Sequence, residues 1–335
     1  MTITPFCGDS PPPRRPVPRL SVVIPCHNEA AVVATTHRRL VAVLEGAGLE
    51  FEVVYVDDGS RDETLERLEV IAAADPRARV IELSRNFGQQ AAMSAGLAET
   101  TGDAVVLIDA DLQDPPEVIP EMVAMWRDGA DVAYGRRRSR DGETRFKLLT
   151  AALFHRLLSR AVPHPIPVDT GDFKLLDRAV VDTIVALPER RRYLRTMVAW
   201  TGFRHEAVWY DRHARAAGTT NYSPLKLARL AGDALVLSSD LPMRMTWVLV
   251  GGLVTVAAVA AVTAATAPPG PPGVAALLAV AAGVAATPTA AVALVGEYVV
   301  RTYREAQHRP AWIVRRRLGR GLGAARGGPP RSAAA

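Results

Sequence analysis

Residues 104–116 read Ala-Val-Val-Leu-Ile-Asp-Ala-Asp-Leu-Gln-Asp-Pro-Pro. The apolar run that opens this stretch is typical of an inner strand of a parallel sheet, because such strands are buried on both faces. Ligands of these sheets bind beyond the carboxyl ends of the strands, and Asp109 and Asp111 stand at that end. Alternate residues of an extended segment point to the same side, so both carboxylates can face one divalent cation, which prefers oxygen ligands. A solvated acidic turn is the alternative for this motif taken alone.

Short apolar runs alternate with amphipathic ones along the first two thirds of the chain. This alternation predicts right-handed strand–helix–strand units and a mostly parallel α/β sheet covered on both faces. The predicted strands are 20–24, 51–56, 80–83, 104–108, 132–134, 173–176 and 204–210. The predicted helices are 29–45, 62–74, 89–99, 116–128, 149–159 and 178–187. These elements predict one domain over residues 20–222.

Two further polar clusters follow predicted strands at the same sheet edge. Residues 23–29 read Val-Ile-Pro-Cys-His-Asn-Glu, and residues 56–60 read Val-Asp-Asp-Gly-Ser. Asp, Gly and Ser after a strand are also ordinary turn and N-cap residues. The adjacent Asp57 and Asp58 differ from that pattern, because two carboxylates at one strand end repel each other unless a ligand uses them. A nucleobase or ribose offers suitable N–H and O–H donors.

The chain has 335 residues, of which 49% are hydrophobic, and a net charge of +5. Its charge is unevenly distributed, since residues 245–296 contain no Asp, Glu, Lys, Arg or His. A membrane-spanning helix needs about 20 apolar residues, so we expect two spans, near 246–267 and 274–296, within a segment 245–300. A Pro-Pro-Gly-Pro-Pro-Gly turn separates them. A buried hairpin of a soluble protein is the alternative.

Cations flank this apolar block on both sides, with Arg244 before it and many arginines after it. By the positive-inside rule, both termini and the preceding domain are expected to be cytoplasmic, in an integral protein of the bacterial inner or plasma membrane. Residues 223–244 predict an amphipathic helix, centred on 224–238, that lies on the bilayer surface or packs against the domain. Small residues in the spans would suit packing within the hairpin, or between copies in a homo-oligomer.

The two ends of the chain have strongly biased compositions. Residues 1–19 are rich in proline and arginine, which predicts a disordered leader and no signal peptide. Residues 301–335 predict a basic cytoplasmic tail that binds lipid headgroups, and no nucleic acid, because it adjoins a predicted span. The two cysteines, Cys7 and Cys26, indicate neither a disulfide framework nor a zinc site.

Together these motifs resemble glycosyltransferase family 2 over nearly the whole chain. Residues 23–29 and 56–60 resemble the family's nucleoside pocket, and Asp109-Ala110-Asp111 resembles its Asp-X-Asp metal motif. Residues 84–90 (Ser-Arg-Asn-Phe-Gly-Gln-Gln), 109–116, the paired spans and 296–305 resemble the polyprenyl-phosphate branch, which contains dolichyl-phosphate mannosyltransferases and bactoprenol glucosyltransferases. The resemblance implies a GT-A type nucleotide-binding sheet, with nucleotide contacts at Pro25, Asn28, Glu29, Asp57, Asp58 and Asp109.

The resemblance also implies a reaction: inverting transfer of a sugar from a nucleotide-diphosphate sugar to the phosphate of a membrane polyprenol. Mg²⁺ or Mn²⁺ held by Asp111, with Asp109, would stabilise the leaving diphosphate as a Lewis acid. The acceptor phosphate has a second pKa of about 6, so it needs little help from a general base. Asp172 stands where inverting relatives carry their catalytic carboxylate. A turn or N-cap role is its alternative.

Arginines between residues 136 and 147 would neutralise the donor and acceptor phosphates, because a guanidinium contacts phosphate through two hydrogen bonds. Arg136 and Arg145 are the main candidates for this catalytic role, and a solvated loop is the alternative. Residues 189–195 (Glu-Arg-Arg-Arg-Tyr-Leu-Arg) resemble the family's acceptor-side segment, or begin a charged helix. Two other functions stay open at this point: a transferase acting on a lipid-linked glycan, and a catalytically silent membrane scaffold.

Overall fold

The computed structural model describes residues 19–137, 170–190, 192–211 and 302–319, with scattered positions between 248 and 300. The chain divides into two compact units. The first contains residues 1–145, 166–220 and 310–335, and the second contains residues 146–165 and 221–309. Four predictions lie outside the described residues: the leader, the helix at 149–159, the amphipathic helix and most of the two spans.

The first unit is built on an eight-stranded sheet in the order β7-β5-β6-β4-β1-β2-β3-β8. Its strands are β1 (Arg19–Cys26), β2 (Glu50–Asp57), β3 (Ala78–Leu83), β4 (Ala104–Leu107), β5 (Val132–Arg137), β6 (Thr170–Asp177), β7 (His205–Tyr210) and β8 (Val314–Leu318). Strand β1 pairs in parallel with β2 and with β4, β2 pairs in parallel with β3, and β5 pairs in parallel with β7. By contrast, β6 is antiparallel to β4 and β5, and β8 is antiparallel to β3. The predicted mostly parallel α/β sheet is confirmed.

Helices cover both faces of this sheet. They are α1 (Val33–Gly46), α2 (Thr64–Ala74), α3 (Gln89–Glu99), α4 (Ile119–Arg127), α5 (Arg178–Ala186) and α6 (Leu194–Trp200), with a 3₁₀ turn at Pro116–Val118. Val22 and Val53 pack in the core beneath α1, α2 and α4, whereas Val23 and Val54 pack in the opposite core beneath α3, α5 and α6. Alternate residues of each strand therefore fill different cores, which explains the continuous apolar runs in the sequence.

A strand lies within the predicted basic tail. The tail was predicted over residues 301–335, and Val314–Leu318 in it forms β8 at the edge of the sheet. Arg316 is 2.8 Å from Glu82 of β3, and Arg317 is 2.7 Å from Glu99 at the end of α3, so both arginines pair with acidic side chains of neighbouring elements. Charged side chains are tolerated on an edge strand because one of its sides faces solvent. Within the segment predicted as a basic tail, residues 314–318 are therefore an edge strand of the sheet, and residues 320–335 lie outside the described part of the chain.

The second unit is described at few positions. Those between 248 and 300 are helical, as are residues 302–306. Several of its valines are exposed, Val248 at 77% and Val292 at 71%. Within the described residues, no helix is both long and apolar enough to span a bilayer. The two-span hairpin stays a prediction.

Candidate active site

A cavity of about 540 Å³ opens at the carboxyl ends of β1, β2 and β3, and we call it the strand-end cavity. Its walls include His27, Asp57, Ser60, Arg85 and Arg315. Parallel strands end at the same edge, so the polar residues that follow each strand meet there. The volume lies in the range of small-molecule sites. The structure thus brings together the two polar clusters that the sequence placed at this edge.

The loops after β1 and β2 are held to each other by hydrogen bonds. The Asn28 backbone N–H donates to Ser60 Oγ at 3.0 Å, and the Asn28 side-chain Oδ1 accepts from the Arg61 backbone N–H at 2.8 Å. The Glu29 N–H donates to Thr64 Oγ1 at 2.8 Å. Asn28 has a φ of 59°, a left-handed conformation in which Asn is several-fold enriched. Asn28 therefore holds Ser60 and Arg61, which line the cavity, and Glu29 ties the same loop to the start of α2.

The adjacent aspartates at the end of β2 have different surroundings. The Asp58 carboxylate accepts hydrogen bonds from the backbone N–H groups of Phe87 at 2.7 Å and Gly88 at 2.9 Å. Asp57 Oδ2 accepts from the Ser60 N–H at 3.3 Å, but no described residue donates to its buried Oδ1. Burial raises the pKa of both carboxyls. Asp58 thus holds a loop in place, whereas Asp57 lies buried at the cavity wall with one oxygen that accepts no hydrogen bond from the described residues.

Four aspartates gather at the ends of β4 and in β6, and we call them the carboxylate cluster: Asp109, Asp111, Asp114 and Asp172. Burial, followed by the charges of the other three, raises the pKa of Asp109 to about 7. Asp111 is 5% exposed and its Oδ1 accepts from the Gln113 N–H at 3.1 Å. Carboxylates whose charges raise the pKa of a neighbouring carboxyl favour a compensating cation. The sequence-predicted pair, Asp109 and Asp111, therefore sits in a strongly acidic environment.

The chemistry of these donors fits a hard divalent cation. Asp109 and Asp111 offer only carboxylate oxygens, which Mg²⁺ and Mn²⁺ prefer. Within the described residues, no three His, Cys, Asp or Glu side chains are placed to hold a metal by themselves. Mg²⁺ is usually bound by one or two carboxylates together with substrate phosphates. Two aspartates and a bound diphosphate would complete such a ligand set.

Asp172 forms a two-point ion pair with Arg195. Arg195 Nε lies 2.9 Å from Asp172 Oδ1, and its second contact to Oδ2 is 3.2 Å. Burial acts to raise the pKa of Asp172, but the charge and hydrogen bonds of Arg195 outweigh it and lower the pKa. Asp172 is therefore held ionised and weakly basic. It lies within β6, not at a turn or helix N-cap.

Residues 87–90 connect the cavity to the cluster. The backbone amides of the first two hold Asp58, as described above. Gln89 Nε2 then donates to Asp109 Oδ1 at 2.8 Å, and Gln90 Nε2 donates to Asp172 Oδ2 at 3.3 Å. One short segment at the start of α3 thus contacts an aspartate from each of three strand ends. The sequence indicated this segment only through its resemblance.

The remaining candidates occupy separate positions. Pro25 is half-buried in β1, and the Arg136 guanidinium stacks over the Trp209 ring, 4.5 Å from its centroid. Arg145 lies outside the described residues.

Sequence reasoning missed Lys174, which is buried beside Asp172. Burial lowers the pKa of its ammonium to about 8. Sequence reasoning also missed two further residues, Tyr210, whose hydroxyl donates to Asp114, and Arg315.

Comparison with known proteins agrees with this architecture. A sequence profile of glycosyl transferase family 2 matches residues 21–185. The uncharacterized glycosyltransferase YkcC of Bacillus subtilis (strain 168) is 38% identical over 306 residues, covering 89% of this chain and 94% of the relative. The prophage bactoprenol glucosyl transferase homolog of Escherichia coli (strain K12) is 33% identical over 303 residues, covering 89% and 99%. The bactoprenol glucosyl transferase of Shigella phage SfV is also 33% identical, covering 89% and 98%.

Solved structures give a weaker likeness. The glucosyl-3-phosphoglycerate synthase of Mycobacterium tuberculosis has a TM-score of 0.47 at 22% identity, covering 66% of this chain and 80% of that one. A likeness of this size says nothing about substrate or metal. The alignments with the relatives at 33–38% identity cover 94% and 99% of the relatives' own length. The chain therefore belongs to glycosyltransferase family 2.

Proposed function

We propose that the protein transfers a sugar from a nucleotide-diphosphate sugar to a polyprenyl phosphate, with inversion, giving a polyprenyl-monophosphate sugar. The observation that carries this proposal is the arrangement of the strand-end cavity and the carboxylate cluster along one sheet edge, linked by residues 87–90. The cavity takes the nucleoside, and the cluster takes the diphosphate. The polyprenyl acceptor is supported by the relatives named bactoprenol glucosyl transferases, and their names also favour glucose as the sugar.

The nucleoside would be recognised by hydrogen bonds. Asp57 Oδ1 is buried at the cavity wall and lacks a donor among the described residues. A buried acceptor without a partner is costly, about 1–3 kcal/mol, so a ligand N–H that reaches it gains affinity. The Asp58 carboxylate is already occupied by two backbone amides, and its role is to fix the loop that forms the opposite wall.

Asp109 and Asp111 would hold Mg²⁺ or Mn²⁺, which would neutralise charge on the leaving diphosphate as a Lewis acid. The chain's own contribution is to bring two anions together. Asp172 orients Arg195 through two hydrogen bonds, and the guanidinium supplies positive charge beside the cluster. Because the acceptor phosphate is already largely dianionic at neutral pH, a weakly basic Asp172 serves better as a positioning residue than as a general base. Arg136 and Arg145 would contact phosphates from β5 and the segment that follows it.

The acceptor implies a membrane location. The proposed protein is anchored in the bacterial inner or plasma membrane by spans near 246–267 and 274–296, with the catalytic domain and both termini cytoplasmic. The sequence supports this through the uncharged block and its flanking arginines. The exposed valines at the described helical positions of the second unit support it as well, because such side chains suit a lipid environment.

Membranes containing the protein should convert a labelled nucleotide sugar and polyprenyl phosphate into a labelled lipid. We expect mild acid to release the sugar, EDTA to abolish the product, and added Mg²⁺ or Mn²⁺ to restore it. A donor panel of UDP-glucose, GDP-mannose and UDP-N-acetylglucosamine identifies the nucleotide. No labelled lipid from any donor would refute the proposal. An acid-stable product would indicate a glycan acceptor, and nucleotide binding without transfer would indicate a scaffold.

A further inference from the structure

Strand β8 changes register against β3 part-way along its length. Arg316 pairs with Glu82, but the next pair is Val314 with Leu83. One residue of β8, Arg315, is therefore extra, and the irregularity is a β-bulge opposite the step from Glu82 to Leu83. This bulge lies at the carboxyl end of β3, where the strand-end cavity opens.

The bulge changes which way the side chains of β8 point. In a regular strand, Leu318, Arg316 and Val314 would share one face. Leu318 packs on the core beneath α1, α2 and α4, yet Val314 packs on the opposite core. Arg315 consequently contacts Glu82, as Arg316 does, instead of facing the other side of the sheet. Bulges near functional sites often redirect a side chain in this manner, and here the redirected residue is an arginine.

Of the three consecutive arginines, Arg315 is the one that lines the cavity. Arg316 and Arg317 are engaged along the strand, at 2.8 Å from Glu82 and 2.7 Å from Glu99. Arg315 makes a longer contact, 3.3 Å from its Nη1 to Glu82 Oε1, and its side chain stays 71% exposed. A guanidinium has five N–H donors, so one contact with Glu82 restrains the side chain and leaves donors for a ligand.

We propose that Arg315 binds the donor nucleotide, with its guanidinium donating hydrogen bonds to carbonyl oxygens of the base. The inference rests on the proposed function and adds a specificity residue to it. Arg315 lies beyond β3, whereas the carboxylate cluster that takes the diphosphate lies across β1 at β4 and β6. It therefore meets the nucleoside end of the ligand. Asp57 lines the same cavity, and its Oδ1 accepts no hydrogen bond from the described residues. If a base N–H reaches it, the favoured bases are those that present a ring N–H beside a carbonyl, as uracil and guanine do.

This assignment gives the C-terminal strand a direct role in donor binding. Arg315 follows the predicted spans in the sequence, yet it completes a site whose other walls come from the first 90 residues. Adenine and cytosine lack a ring N–H on the edge that carries their amino group. Nucleotides of those two bases should therefore bind Asp57 and Arg315 poorly.

The test uses the full-length protein in detergent, titrated calorimetrically with UDP, GDP, CDP and ADP in the presence of Mg²⁺. Arg315→Ala should weaken binding of the preferred nucleotide about tenfold, the loss typical of a hydrogen bond from a charged donor. The donor KM should rise equally, with kcat and the acceptor KM unchanged. Arg317→Ala is the matched control, because it makes the same charge change on the same strand away from the cavity. Arg315→Lys should recover little affinity, since an ammonium lacks the planar fork.

The outcomes separate the contact from its alternatives. An equal loss of UMP or GMP affinity supports a base contact, whereas a loss confined to the diphosphate overturns it in favour of a phosphate contact. An equal loss in Arg317→Ala also overturns it, because the effect would then come from the stability of β8. If the wild-type protein binds none of the nucleotides, the proposed function itself fails.

Discussion

The strand-end cavity and the carboxylate cluster share one edge of the sheet, but they balance charge in opposite ways. In the cavity, Asp58 is satisfied by two backbone amides and Glu82 by two arginines, so that Asp57 Oδ1 is left as an acceptor. In the cluster, three neighbouring carboxylates and burial raise the pKa of Asp109 to about 7. A cavity with balanced charge selects ligands by hydrogen bonds, whereas a cluster with excess negative charge requires cations. Substitutions in the two regions should therefore fail in different ways.

The largest effect is expected in the cluster. Asp111→Asn removes a negative charge from the proposed metal site, so product formation should fall about 10³-fold. Nucleotide binding measured without divalent metal should be unchanged, because the cavity lies apart from Asp111. The matched control is Asp182→Asn, an exposed aspartate 3.7 Å from Arg178 in α5, which should retain full activity. Normal turnover by Asp111→Asn would show that the carboxylate cluster takes no part in the reaction.

The ion pair beside the cluster should behave as one unit. Asp172→Asn and Arg195→Ala should each lower kcat about a hundredfold, since both changes misplace the same guanidinium. The double variant should lose no more than either single one, a coupling that a double-mutant cycle on kcat measures. If the two losses multiply, Asp172 acts independently of Arg195, as a general base would. In that case the acidic limb of the kcat–pH profile should also disappear in Asp172→Asn.

Replacing each of the two adjacent aspartates, Asp57 and Asp58, by asparagine tests their different roles. The substitution changes the side-chain shape equally at both positions. Asp57→Asn replaces a carboxylate at the cavity wall, so the donor KM should rise about tenfold. The melting temperature should not fall, because burial already disfavours the charged form of Asp57. Asp58→Asn leaves one acceptor oxygen for two backbone amides, so one of the two hydrogen bonds is lost and the stability should fall by about 1–3 kcal/mol. Thermal unfolding and donor KM, measured on both variants, separate the roles. The reverse pattern would exchange the two assignments.

The local sequence pattern alone predicted where the central strands end. The apolar run before Asp109 predicts a buried strand, and parallel strands place their ends on one edge. The contacts of Asp172 were not predictable in this way, because Gln90 reaches it across 82 residues and only the neighbouring position of β4 and β6 brings them together. Strand β8 was missed for a related reason. Its arginines resemble a solvated tail until Glu82 and Glu99, more than 200 residues earlier, are seen to pair with them.

The last prediction concerns stability alone and comes from Lys174, which flanks the cluster in β6. Burial lowers the pKa of its ammonium to about 8, against about 10.4 in an unfolded chain. Between these two values the unfolded chain binds more protons than the folded one, so the free energy of unfolding rises with pH, by up to about 3 kcal/mol. Lys174→Met keeps an unbranched side chain without the charge and should lose this rise. Melting temperatures measured from about pH 7.5 to about pH 10.5 should therefore increase in the wild-type protein relative to the variant. A constant difference across that range would mean that the ammonium is solvated, and that the cluster's surroundings are less buried than its charges indicate.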